Sequence, residues 1–282
     1  KSWIHPFDFK NPPYYRFHLF PETSSTFILL LDFHHLIVDG ISITNIIKIL
    51  ESILDKDAVV TINPFMLGSP AKDMSPKPWC GIFQTSFLPS RIMDLAAKVL
   101  YQPISNALWK RLNLFARKKH RTTAEALFAC LLKTLQQRWD ADHVACGFIR
   151  DNRSDPDQIG NFESYFTFQT TTNMSFTPLL ETIHSAWASP ENHPNVSSGI
   201  QTPILFDDHV QSMSPWTLHT GISVDPIQIS PRHVKVPLEC SILHFSDHLC
   251  IRWVYQHVLY KESASTAMMD NMRHQIAAIL ES

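Results

Sequence analysis

Two adjacent histidines followed by an acid and a glycine form the part of this sequence best suited to chemistry. His34 and His35 are followed by Asp39 and Gly40, four and five residues after the second histidine. A histidine titrates near neutral pH, so it can accept or share a proton without a large change of environment. The acid can fix the loop, and the glycine permits positive φ or a close approach of backbone to a ligand. The spacing predicts a proton-transfer site on a short loop.

The flanking residues predict the elements that position this loop. Residues 27–31 are a continuous apolar run, which is typical of a buried strand. Residues 42–54 carry isoleucine and leucine at helical spacing, with Ser42 as the predicted N-cap. We therefore expect the histidines at the end of a rigid strand, where a scaffold can hold a reactive group in place.

The rest of the chain predicts a mixture of helices and strands, and therefore an α/β (α+β) fold. Residues 90–140 are predicted to be helical, with Thr122 or Thr123 as a cap, and a last helix is predicted to open at Ser263 or Ser265. Proline-rich segments at 63–89 and 190–215 are predicted to be connections, because proline disfavours helix interiors and central strands. The predicted strands are 143–149, 165–171, 236–244 and 249–257.

Composition narrows the classes of protein to consider. The formal net charge of −2 argues against a nucleic-acid-binding protein, which usually has a basic balance. The 15 histidines are dispersed without a metal-ligand spacing, and no apolar run reaches the length of a membrane span, so neither a metal nor a membrane is expected. Five cysteines are scattered with no Cys-x-x-Cys pair, which predicts free thiols in a reducing, cytoplasmic setting.

The segment from His34 to Gly40 resembles the His-His-x-x-x-Asp-Gly signature of nonribosomal peptide synthetase condensation domains and their acyltransferase relatives. Residues 6–9, Pro-Phe-Asp-Phe, are similar to the family's Pro-Phe-Asp-Leu segment, and 147–153 resembles a family segment that ends in an arginine. Residues 159–162 resemble the start of the family's Ile-Gly-x-Phe-Val-Asn-Thr motif. The chain departs from that motif after Phe162, where it reads Glu-Ser-Tyr.

The resemblance implies a chloramphenicol-acetyltransferase-like pseudo-dimer of two lobes with two layers each. Residues 1–85 would be the remainder of the N-terminal lobe with the histidine motif, and 86–282 the C-terminal lobe. The family's first helix and early arginine motifs have no counterpart, so we expect a fragment, one piece of a cleaved domain, or a divergent short relative. The first two are favoured because an incomplete sheet leaves an unpaired edge. A missing N-terminal segment or a second chain of the same domain is thus an expected partner.

The implied activity is that of a condensation-type acyltransferase. It would form an amide between a donor acyl or peptidyl thioester and an acceptor amine, both on the phosphopantetheine arms of peptidyl or acyl carrier proteins. No directly bound cofactor is expected. His35 would be the catalytic residue, acting as a base or holding the amine and stabilising the tetrahedral intermediate. His34 is expected to be structural, because alternation along a strand points it away from its neighbour.

The resemblance also implies supporting residues. Asp39 would form an ion pair with Arg153, or with Arg150 if the alignment slips by three residues. Gly40 would bring its N–H near the oxyanion or permit the turn. Basic residues in 110–121 ordinarily indicate a solvated helix face, and the alternative is a docking surface for an acidic carrier protein or its phosphate.

Three other functions stay open or are weighed against this one, and the first two share the motif. One is a carrier- or CoA-dependent O-acyltransferase, similar to wax-ester synthases. Another is an epimerisation domain, which is disfavoured because Ile43, where that group usually has Trp, follows Ser42. The third is a non-catalytic condensation-like docking platform, which stays open because the asparagine expected shortly after Phe162 is absent.

Overall fold

The computed structural model describes residues 6–54, 96–200, 202–212, 214–227, 230–231 and 233–281. These residues group into two compact units. The first contains 6–54, 152–163 and 218–220, and the second contains the remaining described residues. Arg153, assigned to the second lobe on sequence grounds, groups with the first unit. The predicted boundary between residues 85 and 86 lies outside the described residues.

The described residues form both strands and helices, in mixed order along the chain. The α-helices are α1 (Gly40–Leu54), α2 (Asn106–Lys118), α3 (Thr123–Trp139), α4 (Phe176–Ala188) and α5 (Glu262–Ala278). The first six strands are β1 (Tyr15–Pro21), β2 (Phe27–Phe33), β3 (Ala97–Ile104), β4 (Ala145–Asp151), β5 (Glu163–Gln169) and β6 (Val196–Ser198). The later strands are β7 (Ile204–Ser212), β8 (Trp216–Thr217), β9 (Ser223–Val224), β10 (Leu238–His244) and β11 (Leu249–Gln256).

The first unit contains a hairpin followed by a helix. Strands β1 and β2 pair antiparallel, with Tyr15 opposite Phe33 and Pro21 opposite Phe27. In the tight turn between them, the Thr23 hydroxyl accepts hydrogen bonds from the N–H groups of Ser25 and Thr26. The chain leaves β2 at Phe33 and enters α1 at Gly40, so the histidine motif fills the connection between the two elements.

The second unit is a mixed sheet covered by helices. The seven-stranded sheet has the order β3-β11-β10-β7-β4-β5-β6, with β7 parallel to both β10 and β4. Apolar residues of α2 to α5 and of alternate strand positions share one core, including Phe128, Trp253 and Met272. The opposite face of β10 and β11 carries a partly buried ion pair between Glu239 and Arg252. This arrangement confirms the mixed α/β fold class.

Two predictions for the second unit are wrong. Residues 97–104 form the edge strand β3 and not a helix, paired with β11 along its whole length. Pro103 is tolerated there because an edge strand leaves some N–H groups unpaired in any case. Strand β7 lies in the middle of the sheet, inside the proline-rich segment predicted to be a connection. The two prolines of this segment nearest to the strand, Pro203 and Pro215, flank it without interrupting it.

The helix caps were predicted with mixed success. Thr122 caps α3 as predicted, in a capping box with Glu125. Helix α1 begins at Gly40, so Ser42 lies inside the first turn and is not the cap. Helix α5 begins at Glu262, and Ser263 and Ser265 are likewise within it. None of the helices in the described part of the chain is long and apolar enough to cross a membrane.

Candidate functional site

The histidine loop is a compact turn fixed at its start by the hairpin. The N–H of His34 donates to the carbonyl of Tyr14 at 2.9 Å, which extends the β1–β2 pairing by one residue. The N–H of Ile37 then donates to the carbonyl of His34 at 3.0 Å and closes the turn. Because β2 ends at Phe33, both histidines lie in the turn and the strand alternation used to separate them does not apply.

Asp39 joins the end of this loop to the start of α1. Its carboxylate accepts a 2.8 Å hydrogen bond from the N–H of Ser42, three residues on, which is the N-cap interaction. The N–H of Phe162 donates to the other carboxylate oxygen at 2.9 Å. Asp39 therefore caps the helix and binds the 152–163 segment at the same time.

The predicted ion pair between Asp39 and Arg153 is present. Arg153 Nη2 lies 2.7 Å from both Asp39 carboxylate oxygens, so a single nitrogen bridges them. Both side chains are buried, at 2% and 3% exposure. The alternative partner, Arg150, instead pairs with Glu191 at 3.2 Å in the second unit. The structure thus selects Arg153 of the two arginines considered.

The charge on Asp39 is stabilised despite burial. Burial by itself raises the pKa of Asp39, because it removes the carboxylate from water. Hydrogen bonds from the N–H groups of Phe162 and Ser42, and a smaller contribution from Arg153, lower the pKa by more than burial raises it. The pKa of Asp39 is therefore below its ordinary value. Asp39 is therefore held as a carboxylate that anchors the loop, and it is unsuited to act as the proton acceptor.

Polar residues on one side of α1 complete the junction with the 152–163 segment. The Ser42 hydroxyl donates to the carbonyl of Gly160 at 2.6 Å and accepts from the N–H of Gly160 at 3.0 Å. The Asn45 amide donates to the carbonyl of Pro156 at 2.7 Å. Ser42 and Asn45 are both buried, and they are three residues apart, so they lie on the same side of the helix. The junction is therefore built from satisfied buried polar groups.

His34 lies among aromatic side chains. Its ring is in edge contact with Phe9 at a centroid distance of 4.8 Å and with Phe7 at 5.7 Å. Its Nδ1 accepts a 3.0 Å hydrogen bond from the N–H of Leu36. These contacts position His34 as a packing residue that shapes the turn.

His35 is held by its backbone and is partly exposed through its side chain. The Asn161 amide donates to the carbonyl of His35 at 2.9 Å. The His35 side chain is 38% exposed, and its Nε2 lies 3.7 Å from Oε2 of Glu163. The fixed backbone and accessible ring are what a proton-transfer group requires.

Gly40 is the first residue of α1 and is exposed. The glycines with positive φ in the described residues are Gly199 and Gly221, so Gly40 is not needed for a left-handed backbone. A Cβ added at Gly40 would meet no atom of the described residues within 4 Å. Packing against the described residues therefore does not require a glycine at this position, at the N-terminus of α1.

Three functional candidates were not identified from the sequence. In the sequence, Glu163 stands out only as a departure from a motif, and Asn161 only as part of one. Asn45 had a usable signal, because it is a polar residue three positions after Ser42 and directly before the isoleucines Ile46 and Ile47. Glu163 and Asn161 had no such signal, because their approach to His35 depends on the fold.

The described residues contain no group of three or more histidine, cysteine, aspartate or glutamate side chains that could hold a metal ion. The four described cysteines, Cys130, Cys146, Cys240 and Cys250, are buried and free. Burial raises the pKa of each of these thiols, which makes them poor nucleophiles. The histidine turn is therefore the main candidate site among the described residues.

Comparison with solved structures identifies the fold. The chain is similar to the first condensation domain of the CDA synthetase (TM-score 0.66, 14% identity, covering 98% of this chain and 69% of that one). It is also similar to the epimerization domain from the third module of tyrocidine synthetase B (TM-score 0.64, 16% identity, covering 96% and 72%). A third similar structure is the complex of the X-domain and OxyB from teicoplanin biosynthesis (TM-score 0.61, 12% identity, covering 98% and 72%).

These similarities show that the chain has the condensation-domain fold, which is chloramphenicol-acetyltransferase-like. The identities are low, so the similarity concerns the fold and leaves the reaction open. No protein-family model and no curated protein sequence matches the chain.

Proposed function

We propose that this chain is a condensation-type acyltransferase that joins a donor acyl or peptidyl thioester to an acceptor amine. The observation that carries the proposal is the accessible imidazole of His35 on a turn that is fixed on both sides. Asn161 holds the His35 backbone, and the buried Asp39–Arg153 pair anchors the end of the same turn. The condensation-domain fold is consistent with this chemistry.

The chemistry requires positioning and proton transfer without a covalent enzyme intermediate. The neutral amine attacks the thioester carbonyl carbon, an oxyanion forms, the C–S bond breaks and a thiol leaves. Thioesters are activated acyl groups and amines are good nucleophiles, so His35 need only remove or hold the amine proton. General base catalysis of this kind typically contributes about 10²–10⁴-fold to the rate, and holding both reactants together contributes several kcal/mol more.

The proposed substrates are carried on the phosphopantetheine arms of carrier proteins. Exposed basic residues of α2 and the turn after it support this, because carrier proteins and their phosphates are acidic. These residues are Lys110, Arg111, Arg117, Lys118 and Lys119. Arg111 also donates to the carbonyl of Leu280, so it has a structural contact as well.

The direct test is product formation. The natural polypeptide that contains this chain is mixed with a donor carrier bearing an acyl thioester and an acceptor carrier bearing an aminoacyl thioester, and intact-protein mass spectrometry follows the acceptor. The proposal expects the acyl group to move to the acceptor carrier as an amide. A rate no higher than that of the mixture without the polypeptide overturns the proposal.

A second candidate is a non-catalytic docking platform. The specific observation in its favour is the similarity to the X-domain, which was solved in complex with OxyB. A platform would bind a partner protein without needing His35. It is distinguished by the same experiment, because a platform forms no amide and its binding is unchanged in His35→Ala.

A further inference from the structure

A carboxylate lies close to Nε2 of the proposed catalytic histidine, His35. Glu163 Oε2 lies 3.7 Å from Nε2 of His35, which is beyond hydrogen-bonding distance but within that of an ion pair. The Glu163 side chain is only 16% exposed. Its charge is therefore less screened by water and salt than that of a surface acid.

The position of Glu163 is built into the loop. Its N–H donates to Oδ1 of Asn161 at 3.2 Å, and the amide of the same Asn161 donates to the carbonyl of His35 at 2.9 Å. The Asn161 side chain thus forms hydrogen bonds with the backbone of both His35 and Glu163. Glu163 also lies directly after Phe162, where this chain departs from the motif that it otherwise resembles.

We infer that Glu163 is a specificity-determining residue that selects an acceptor arriving as an ammonium ion over one bearing a hydroxyl. The inference rests on the proposed acyl-transfer function and specifies its acceptor. An α-amino group titrates at about 8, so most of it carries a positive charge at neutral pH. A carboxylate attracts that charge through a charge-assisted hydrogen bond, whereas a neutral hydroxyl gains a weaker interaction.

In the proposed reaction, Glu163 and His35 have different roles. Glu163 binds the ammonium form, and His35 Nε2 accepts one of its protons, which leaves a neutral amine. The amine lone pair forms the C–N bond with the thioester carbonyl, and the intermediate loses a second nitrogen proton to solvent. The C–S bond then breaks, and the thiolate takes the proton from the imidazolium of His35. The products are an amide, a thiol and one released proton.

Binding tests this selectivity without turnover. The probes are aminopantetheine acylated with alanine or with lactate, in which a stable amide replaces the thioester. By calorimetry, Glu163→Gln in the natural polypeptide should weaken alanyl-probe binding by about five- to tenfold and leave lactyl-probe binding unchanged. Glu22→Gln is the matched control, because Glu22 lies in the hairpin turn, separated from the site by roughly 20 Å of strand. It should change neither affinity.

Kinetics supply the second readout. With loaded carriers, Glu163→Gln should raise the KM for the aminoacyl acceptor by a similar factor, with a smaller effect on kcat, and leave transfer to a hydroxyacyl acceptor unaffected. Equal alanyl-probe affinity in the wild type and Glu163→Gln, or no binding of either probe, overturns the inference. If amide formation depends on His35 but not on Glu163, the proposed function is supported and the role of Glu163 is wrong. If the alanyl probe binds selectively but no acyl transfer occurs, the selectivity is supported and the proposed function is wrong.

Discussion

At the scale of single residues, Asp39 determines the geometry of the site. Its carboxylate caps α1 by accepting a hydrogen bond from the N–H of Ser42, and it accepts a second one from the N–H of Phe162. The same carboxylate forms an ion pair with Arg153. A carboxylate with these contacts cannot approach a substrate proton, so its effect on chemistry is indirect. It holds the turn in which His35 is presented.

The ion pair leads to a test by double-mutant cycle. Asp39→Ala or Arg153→Ala leaves an uncompensated buried charge, which we expect to cost roughly 3–5 kcal/mol of unfolding free energy. The double mutant should be less destabilised than the sum of the two single mutants, measured by denaturant unfolding. The control pair is Arg150→Ala with Glu191→Ala, which are more exposed and should couple by about 1 kcal/mol or less. Strict additivity at Asp39 and Arg153 contradicts the pairing.

The lowered pKa of Asp39 predicts a dependence on acid. A group whose pKa is depressed by folding stabilises the protein above its unfolded pKa of about 3.9, and this stabilisation is lost as the pH falls through the folded pKa. The stability difference between wild type and Asp39→Asn should therefore be largest near neutral pH and shrink below about pH 4. Denaturant unfolding at several pH values measures it. A difference that stays constant down to pH 2 counts against a stabilised carboxylate.

At the scale of elements, the sequence predicted the parts with local signals and missed those set by pairing. The apolar run before His34 predicted strand β2, but its predicted burial is wrong, since Phe27 and Leu29 are half exposed. Thr122, one of two threonines predicted as the cap of α3, is its cap. Strand β3 and strand β7 were missed, because each is fixed by hydrogen bonds to strands distant in sequence. The pairing of Asp39 with Arg153 followed from the family resemblance, whereas the approach of Glu163 to His35 depends on a fold that no local pattern encodes.

The capping box of α3 gives a prediction about one element. In Thr122→Ala the N–H of Glu125 loses its side-chain acceptor, so the unfolding free energy should fall by about 1–2 kcal/mol. Ser175→Ala is the control, because Ser175 precedes α4 without a side-chain capping bond and should change stability by only a few tenths of a kcal/mol. Thermal or denaturant unfolding of both variants checks this. Equal losses at the two sites would show that the capping box adds nothing.

At the scale of the whole molecule, the hairpin carries an apolar face that water contacts. Tyr15, Phe17, Leu19, Phe27 and Leu29 are each 46–64% exposed. The register places all five on one side of β1 and β2, with Leu19 opposite Leu29. Contiguous exposed apolar surface of this kind usually contacts another protein segment. This is consistent with the prediction that a further segment or chain of the same domain accompanies these residues.

The exposed face predicts association when the 282-residue chain is produced alone. Light scattering should report species larger than the 32.3 kDa monomer, and Phe17→Ser with Leu29→Ser should shift the population towards the monomer. Leu114→Ser is the control, since Leu114 is an exposed leucine on α2 and should have little effect. A monomeric wild-type chain that is unaffected by the hairpin substitutions would contradict the prediction.

The most direct test of the acyl-transfer account is the single-turnover rate of amide formation in His35→Ala. The variant should keep its fold, because the side chain is partly exposed and the hydrogen bond from Asn161 uses the backbone carbonyl. We predict a rate lower than that of the wild type by about 10²–10⁴-fold, the range of general base catalysis, at saturating donor and acceptor carriers. A wild-type rate in a correctly folded His35→Ala would contradict the account, because acyl transfer would then not depend on this histidine.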